Sequence, residues 1–191
     1  MRGTLPGQRA WQLKITLQES DPPIWRRLLV PGEVSLGELH WVIQTAMGWK
    51  NSHLHQFLVG DTAYGEPSPE AEWEIHDELA IRLSRVAPKK GSRFIYEYDF
   101  GDDWVHEIEV EVISQPEKPI THAICLDGNR ACPPEDSGGM GGYEEMLRVL
   151  SNPRDEEYED TRRWAGKGFN PDRFDPKRVN AKLKRRPRLV G

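Results

Sequence analysis

The chain has 191 residues, enough to bury a sizeable core as one domain or as one domain with a small addition. Hydrophobic residues make up 37% and charged residues 30%, which is polar for a globular protein, but 7 Trp argue against a disordered one. A net charge of -5 excludes a basic coat for nucleic acid over the whole surface, and no apolar run approaches the roughly 18 residues of a membrane span. Residues 1–10 lack the apolar core of a secretory signal, so a soluble cytoplasmic protein is expected, with those residues disordered.

Trp11-Gln12-Leu13-Lys14-Ile15-Thr16-Leu17 alternates apolar and polar residues, the period of a half-buried strand. Ser20-Asp21-Pro22-Pro23 interrupts it, because proline offers no amide to a ladder, and Ile24 to Val30 reads as the return strand. Arg26 and Arg27 then point to opposite faces, so one of them turns inward, where it requires a carboxylate partner. Val34-Ser35-Leu36-Gly37-Glu38-Leu39 is a helix start: Ser35 caps, Glu38 completes a capping box, and Val34 can pack on Leu39. Leu36, Leu39, Ile43 and Met47 recur at helical spacing until Gly48 supplies a left-handed stop, with His40 and Gln44 side by side one turn apart.

His53 to Val59 reads as a strand with His53, His55 and Phe57 on one face, turning at Gly60-Asp61 into Thr62 to Tyr64. Gly65 to Glu78 reads as a surface loop, Leu79 to Leu83 as a short strand and Ser84 to Ala87 as a helical turn. Phe94 to Val112 is the most regular stretch, two strands around the turn Gly101-Asp102-Asp103. That turn sets Tyr98 opposite His106 and Tyr96 opposite Ile108 on an aromatic face. It also sets Glu97 opposite Glu107 on an acidic face that needs cations, metal or water.

Residues 114–142 read as a loop holding both cysteines, long enough to be functional or mobile. Tyr143 to Leu150 is a helix, a second runs from Ser151-Asn152-Pro153 to about Ala165, and Asp175-Pro176 opens a last one to about Leu183. The expected fold is α+β: a mostly antiparallel, meander-like sheet within residues 11–113, covered on one face by the Ser35 helix. Residues 114–183 form the loop and the helices at one side, and 184–191 a basic tail.

Several pieces, taken together, resemble the plasmid pRiA4b ORF-3-like family. They are Pro23-Ile24-Trp25-Arg26-Arg27, Leu39-His40 with Ile43-Gln44, Met47-Gly48-Trp49, His53-Leu54-His55-Gln56-Phe57 and Tyr98-Asp99-Phe100-Gly101-Asp102 with Trp104 and His106. Ala131-Cys132-Pro133-Pro134-Glu135-Asp136 with Gly138-Gly139 and Gly142-Tyr143 completes the set. The resemblance spans roughly Trp11 to Leu183 and implies an α+β domain found on bacterial plasmids and beside insertion sequences. Some relatives carry a resolvase-like label, yet no N-terminal nucleophilic Ser paired with arginines supports that chemistry here.

The first candidate site is His53 and His55 with Asp99, Asp102, Asp103 and His106. Two histidines two apart on a strand face the same way, and imidazole with carboxylate suits zinc, manganese or iron. Its bland counterpart makes His55 and His106 core histidines bonded to Tyr98, Asp102 or backbone, with Asp99 on the opposite hairpin face from His106. The second candidate is Cys125 and Cys132 with Glu135 and Asp136, helped by His122, a weak zinc pattern set against a buried thiol pair. The aromatics read as core, with Trp11, Trp25 and Trp104 inside, and Gly138 to Gly142 as a flexible joint.

A basic run, Lys177, Arg178, Lys182, Lys184, Arg185, Arg186 and Arg188, contains no acidic residue and reads as a solvated tail or a phosphate-contacting one. Nucleophile elbows, phosphate-cradling glycine loops and His-Glu-x-x-His are all absent. The expectation is a non-enzymatic binding or accessory module with a protein or nucleic-acid partner and no resident cofactor. A metal-dependent enzyme at His53, His55, Asp102 and Asp103, binding a divalent metal, is the alternative; a DNA-contacting factor using the basic tail is a second.

Overall fold

The computed structural model describes residues 8–68 and 74–185. Alternation sets the first pair: β1 (Ala10–Leu17) and β2 (Ile24–Pro31) run antiparallel, and Trp11, Leu13, Ile15 and Leu17 are all buried on one face. The strand begins one residue earlier than the sequence suggests. Gln8 and Arg9 before it are bonded as well, to the amides of Ile120 and Gly32.

Helix α1 (Leu36–Met47) follows the local code. Ser35 Oγ accepts from the Glu38 amide at 3.1 Å, the Glu38 carboxylate accepts from the Ser35 amide at 2.8 Å, and Gly48 closes the helix at φ 104°. The helix lays Leu36, Leu39, Val42, Ile43, Ala46 and Met47 into the core.

Next come β3 (His55–Val59), β4 (Thr62–Gly65), β5 (Ile75–Asp77) and the short α2 (Leu83–Val86). The expected strand at Leu79 to Leu83 is instead a turn running into α2, and the strand lies upstream, where β5 pairs in parallel with β4. Strands β6 (Arg93–Tyr98) and β7 (Trp104–Ser114) form the hairpin. An eighth strand, β8 (Ile124–Asn129), runs through the segment expected to be loop and pairs with the edge of β2. The sheet order is β5-β4-β3-β6-β7-β1-β2-β8, antiparallel except at β4-β5, which together with the helices makes the α+β class.

The hairpin register differs from the expected one by two residues. Tyr98 faces Trp104, Tyr96 faces His106 and Phe94 faces Ile108. The turn is longer because the Asp99 amide donates to Leu54 O at 2.9 Å, drawing Asp99 out of the ladder, while the Asp103 amide donates back to Asp99 O at 2.6 Å. A shift of two preserves both faces, so the aromatic face is still buried. It does separate Glu97 from Glu107: Glu97 faces Val105 and accepts from Gln56 at 2.6 Å. Arg27, gripping Glu111 at 2.7 and 2.9 Å, and Arg93, beside Glu107 and Glu109, supply the cations the acidic face requires.

Helix α3 (Gly139–Ser151) takes the glycine run as its first turn, so Gly138 to Gly142 is a helix start and not a joint. Residues 152–157 are turns, and α4 (Tyr158–Ala165) therefore starts later than Ser151-Asn152-Pro153. Helix α5 (Pro176–Leu183) is capped by Asp175 as expected and packs on β8 and α1. Trp25 is a correction: it lies on the polar face under Lys14 and Arg27, because Ile24 and Arg26 take the inward positions of β2. No helix among the described residues is long and apolar enough to cross a membrane.

Candidate functional site

Some of the residues singled out above, His53, Tyr98, Asp99, Asp102, Glu135 and Asp136, gather where β6 turns into β7, in different combinations from those expected. The segment after Gly48 is clamped by the loop that follows Cys132. Trp49 Nε1 donates to Pro133 O at 3.0 Å, the Lys50 amide donates to Glu135 Oε1 at 2.9 Å, and Tyr98 Oη donates to the same oxygen at 2.6 Å while accepting from the Ser52 amide at 2.9 Å. Burial pushes the Glu135 carboxyl up, but these two hydrogen bonds and the Lys50 and His53 charges outweigh it and leave the group below the usual carboxylate range. The same clamp, with desolvation first, holds the Tyr98 phenol well above its usual value.

Beside this clamp His53 reaches two carboxylates. Its Nε2 lies 3.4 Å from Asp99 Oδ2 and 3.0 Å from Asp136 Oδ1, and one ligand atom from each of the three lies within 4.8 Å of the others. Nε2 is buried, yet neither oxygen meets the geometry of a hydrogen bond. Asp99 is positioned by its own turn: Oδ1 accepts from the Gly101 and Asp102 amides at 3.2 and 3.4 Å, leaving Oδ2 toward His53. Asp99 and Asp136 both hold left-handed backbone, at φ 59° and 60°, a conformation that is costly outside glycine and clusters at functional sites. Asp136 is exposed, so the group opens to solvent on that side.

The remaining members of the expected sites have other partners. His55 leaves His53 altogether: its Nε2 lies 2.9 Å from Glu78 Oε2 and its ring stacks on His40 at 3.5 Å. His40 closes a buried ring of bonds in which Gln44 donates to Tyr96 Oη, Tyr96 Oη lies 2.8 Å from His40 Nδ1, His40 Nε2 lies 2.9 Å from Asn51 Oδ1 and the Asn51 amide donates to Gln44 Oε1. One tautomer satisfies every group, with Nε2 of His40 protonated and Nδ1 accepting from Tyr96. His106 is a core histidine facing Tyr96 O at 3.2 Å through Nδ1, and burial lowers its pKa to about 4, which keeps it neutral. Asp102 Oδ2 accepts from the Gly138 amide at 3.1 Å and so docks the hairpin turn onto the start of α3, while Asp103 is an exposed turn residue at φ 57°.

Cys125 and Cys132 are free, buried thiols separated from Glu135 and Asp136. Burial pushes the Cys125 pKa up to about 11 and raises that of Cys132 too, so neither is a ready thiolate. Arg26 is the inward arginine, and no carboxylate of the described residues pairs with it: backbone carbonyls of Ala46, Trp25 and Asn129 accept from it instead. In the basic run, Lys177, Arg178 and Lys182 lie on α5 with Lys184 and Arg185 after it, whereas Arg186 and Arg188 fall outside the described residues. Glu78 was hidden because it follows a loop-like sequence. Asp136 was visible, but its joining to His53 spans a long stretch of intervening chain.

A mixed eight-stranded sheet, one capped helix across its face and a histidine–carboxylate cluster at its hairpin end define an α+β protein with a compact polar site. The chain belongs to the plasmid pRiA4b ORF-3-like protein family, whose model matches residues 9–178. It is similar to the uncharacterized protein y4hQ of Sinorhizobium fredii strain NGR234, 38% identical over 156 residues, or 81% of this chain and 80% of that protein. It is also similar to the crystal structure of the protein of unknown function MM3350 from Methanosarcina mazei Go1. That likeness has a TM-score of 0.81 at 37% identity and covers 91% of this chain and 97% of the other.

Proposed function

We propose that the protein is a plasmid-associated binding module whose working site is a divalent-cation centre formed by His53, Asp99 and Asp136. One observation carries this reading: a buried imidazole nitrogen lies 3.0 and 3.4 Å from two carboxylates without hydrogen-bond alignment to either. In the neutral imidazole with its proton on Nδ1, such an atom has a lone pair and two anions at hand, the donor set that imidazole-plus-carboxylate sites offer to zinc or manganese. The Tyr98–Glu135 clamp acts from outside the donor set by fixing the loop that carries Asp136. Titration calorimetry of the chelator-treated protein with zinc and manganese is expected to show one cation per chain. The affinity should fall by more than about 100-fold in His53→Ala, beyond the loss typical of an outer-shell partner. Absence of binding, or equal binding by His53→Ala and Asp136→Asn, would sink the reading.

The exposed side of the cluster favours a second reading, a metal-dependent hydrolase, because three protein ligands leave coordination positions open as catalytic sites do. Cation-dependent turnover that disappears in His53→Ala separates this reading from a purely binding role.

A further inference from the structure

Arg26 raises a separate question, since it is a cation 1% exposed in the interior. Its Nε donates to Ala46 O at 3.0 Å, Nη1 to Trp25 O and Asn129 O at 2.8 and 2.9 Å, and Nη2 to Cys132 Sγ at 3.3 Å. A guanidinium has five N–H donors, so one on Nη2 finds no acceptor among the described residues, and none of their carboxylates lies within ion-pair reach. Cys132 does not supply the missing negative charge. Its thiol donates to Met47 Sδ at 3.1 Å, and burial holds it protonated against the pull of Arg26. Neutral acceptors satisfy hydrogen bonds but leave a buried charge uncompensated, which is costly.

Arg26 forms part of the wall of a cavity of about 240 Å³ between the end of α1, at Thr45 to Gly48, and the segment from Gly168 into α5. Arg173, Arg178 and Lys182 stand around it and make no ion pair among the described residues. The sole carboxylate on the lining, Asp175, caps α5 through Oδ1, which accepts from the Lys177 and Arg178 amides at 2.9 and 3.4 Å. Phe174 closes one side, its ring centroid 4.0 Å from the Arg26 guanidinium carbon, and Gly128 lacks a side chain where a Cβ would overlap that ring. Four cations against one carboxylate give this wall an excess of positive charge, which favours an anion of more than a single charge. A concavity of this volume takes a small molecule and not a duplex.

We propose that this cavity binds a phosphorylated small molecule, its phosphoryl group held by Arg173, Arg178 and Lys182 with the unpaired Arg26 charge behind it. The site is independent of the cation centre and stands or falls without it. Half of its cations, Arg178 and Lys182, come from α5, so these two members of the basic run stand on the wall of a pocket.

The test is titration calorimetry of the whole chain at low salt with inorganic pyrophosphate and adenosine 5′-monophosphate, with adenosine as the uncharged control and a single-stranded oligonucleotide as competitor. Arg178 and Lys182 are exposed, so Arg178→Gln and Lys182→Gln leave the fold intact, which thermal melts verify. One phosphate compound per chain is expected, no binding of adenosine, and roughly tenfold weaker binding for each substitution. Three results would overturn the proposal: neither phosphate compound binds, binding is unchanged in both variants, or the oligonucleotide binds and neither phosphate compound displaces it.

Discussion

Replacing Tyr98 by Phe removes one hydroxyl and breaks the clamp around the candidate cation centre at two points. The Ser52 amide loses its acceptor at 2.9 Å, and Glu135 Oε1 loses a donor at 2.6 Å while keeping the Lys50 amide. A neutral bond contributes about 1 kcal/mol and one to a carboxylate about 1.5–3 kcal/mol, but Glu135 is half exposed and water replaces part of the second. The expected loss is therefore about 2 kcal/mol, or roughly 4–8 °C in melting temperature for a chain of this size. Urea unfolding followed by tryptophan fluorescence measures it, because Trp49 lies with its ring centroid 5.0 Å from that of Tyr98. The pH dependence has a defined sign. Glu135 is depressed in the fold, so its contribution is present above the unfolded-state carboxyl value and is lost as pH falls through the lower folded value. The gap between the two proteins should narrow over that acidic window. An unchanged midpoint for Tyr98→Phe at neutral pH would refute the idea that this hydroxyl holds the Glu135–Asp136 loop.

His106 supplies a second pH test. Its folded value of about 4 lies below the 6.5 of an unperturbed histidine, so protonation favours the unfolded chain, and stability should fall by about 3 kcal/mol as pH drops through that interval. Denaturant titrations of His106→Leu should show a flatter slope across the same range, and an identical slope would place the titration elsewhere. Gly139→Ala probes the docking of the hairpin turn on α3. The position has φ 67° and a Cβ would sit 2.7 Å from Asp102 O, so a loss of about 1–3 kcal/mol is expected by thermal melting, with weaker cation binding if Asp99 moves with the turn. A variant as stable as the parent would show that the contact yields freely.

Nearest-neighbour chemistry was readable in the residues themselves. The Ser35–Glu38 box, the Gly48 stop and the Asp175 cap each join groups within a few positions of one another, and the structure has all three. The alternation of β1 and of the hairpin fixed which side chains face inward, and that survived a two-residue error in register because the side-chain period is two. What failed depended on distant partners. Asp99 leaves its strand because Leu54 O takes its amide, β8 forms in a proline- and glycine-rich stretch because β2 offers an edge, and Trp25 turns outward because Ile24 and Arg26 take the inward positions.

The site divides in the same way. Which residue types could hold a cation was legible in the sequence: His53, Asp99 and Asp136 were all marked, though assigned to two separate groups. Their grouping was decided by folding alone, since the hairpin turn and the loop after Cys132 meet His53 across long stretches of intervening chain. The residues determined the local caps, the buried face of β1 and of the hairpin strands, and the family. The tertiary structure decided which histidine stands beside which carboxylate and which charge is left unpaired, because contact between distant segments depends on how the strands assemble and not on periodicity along the chain.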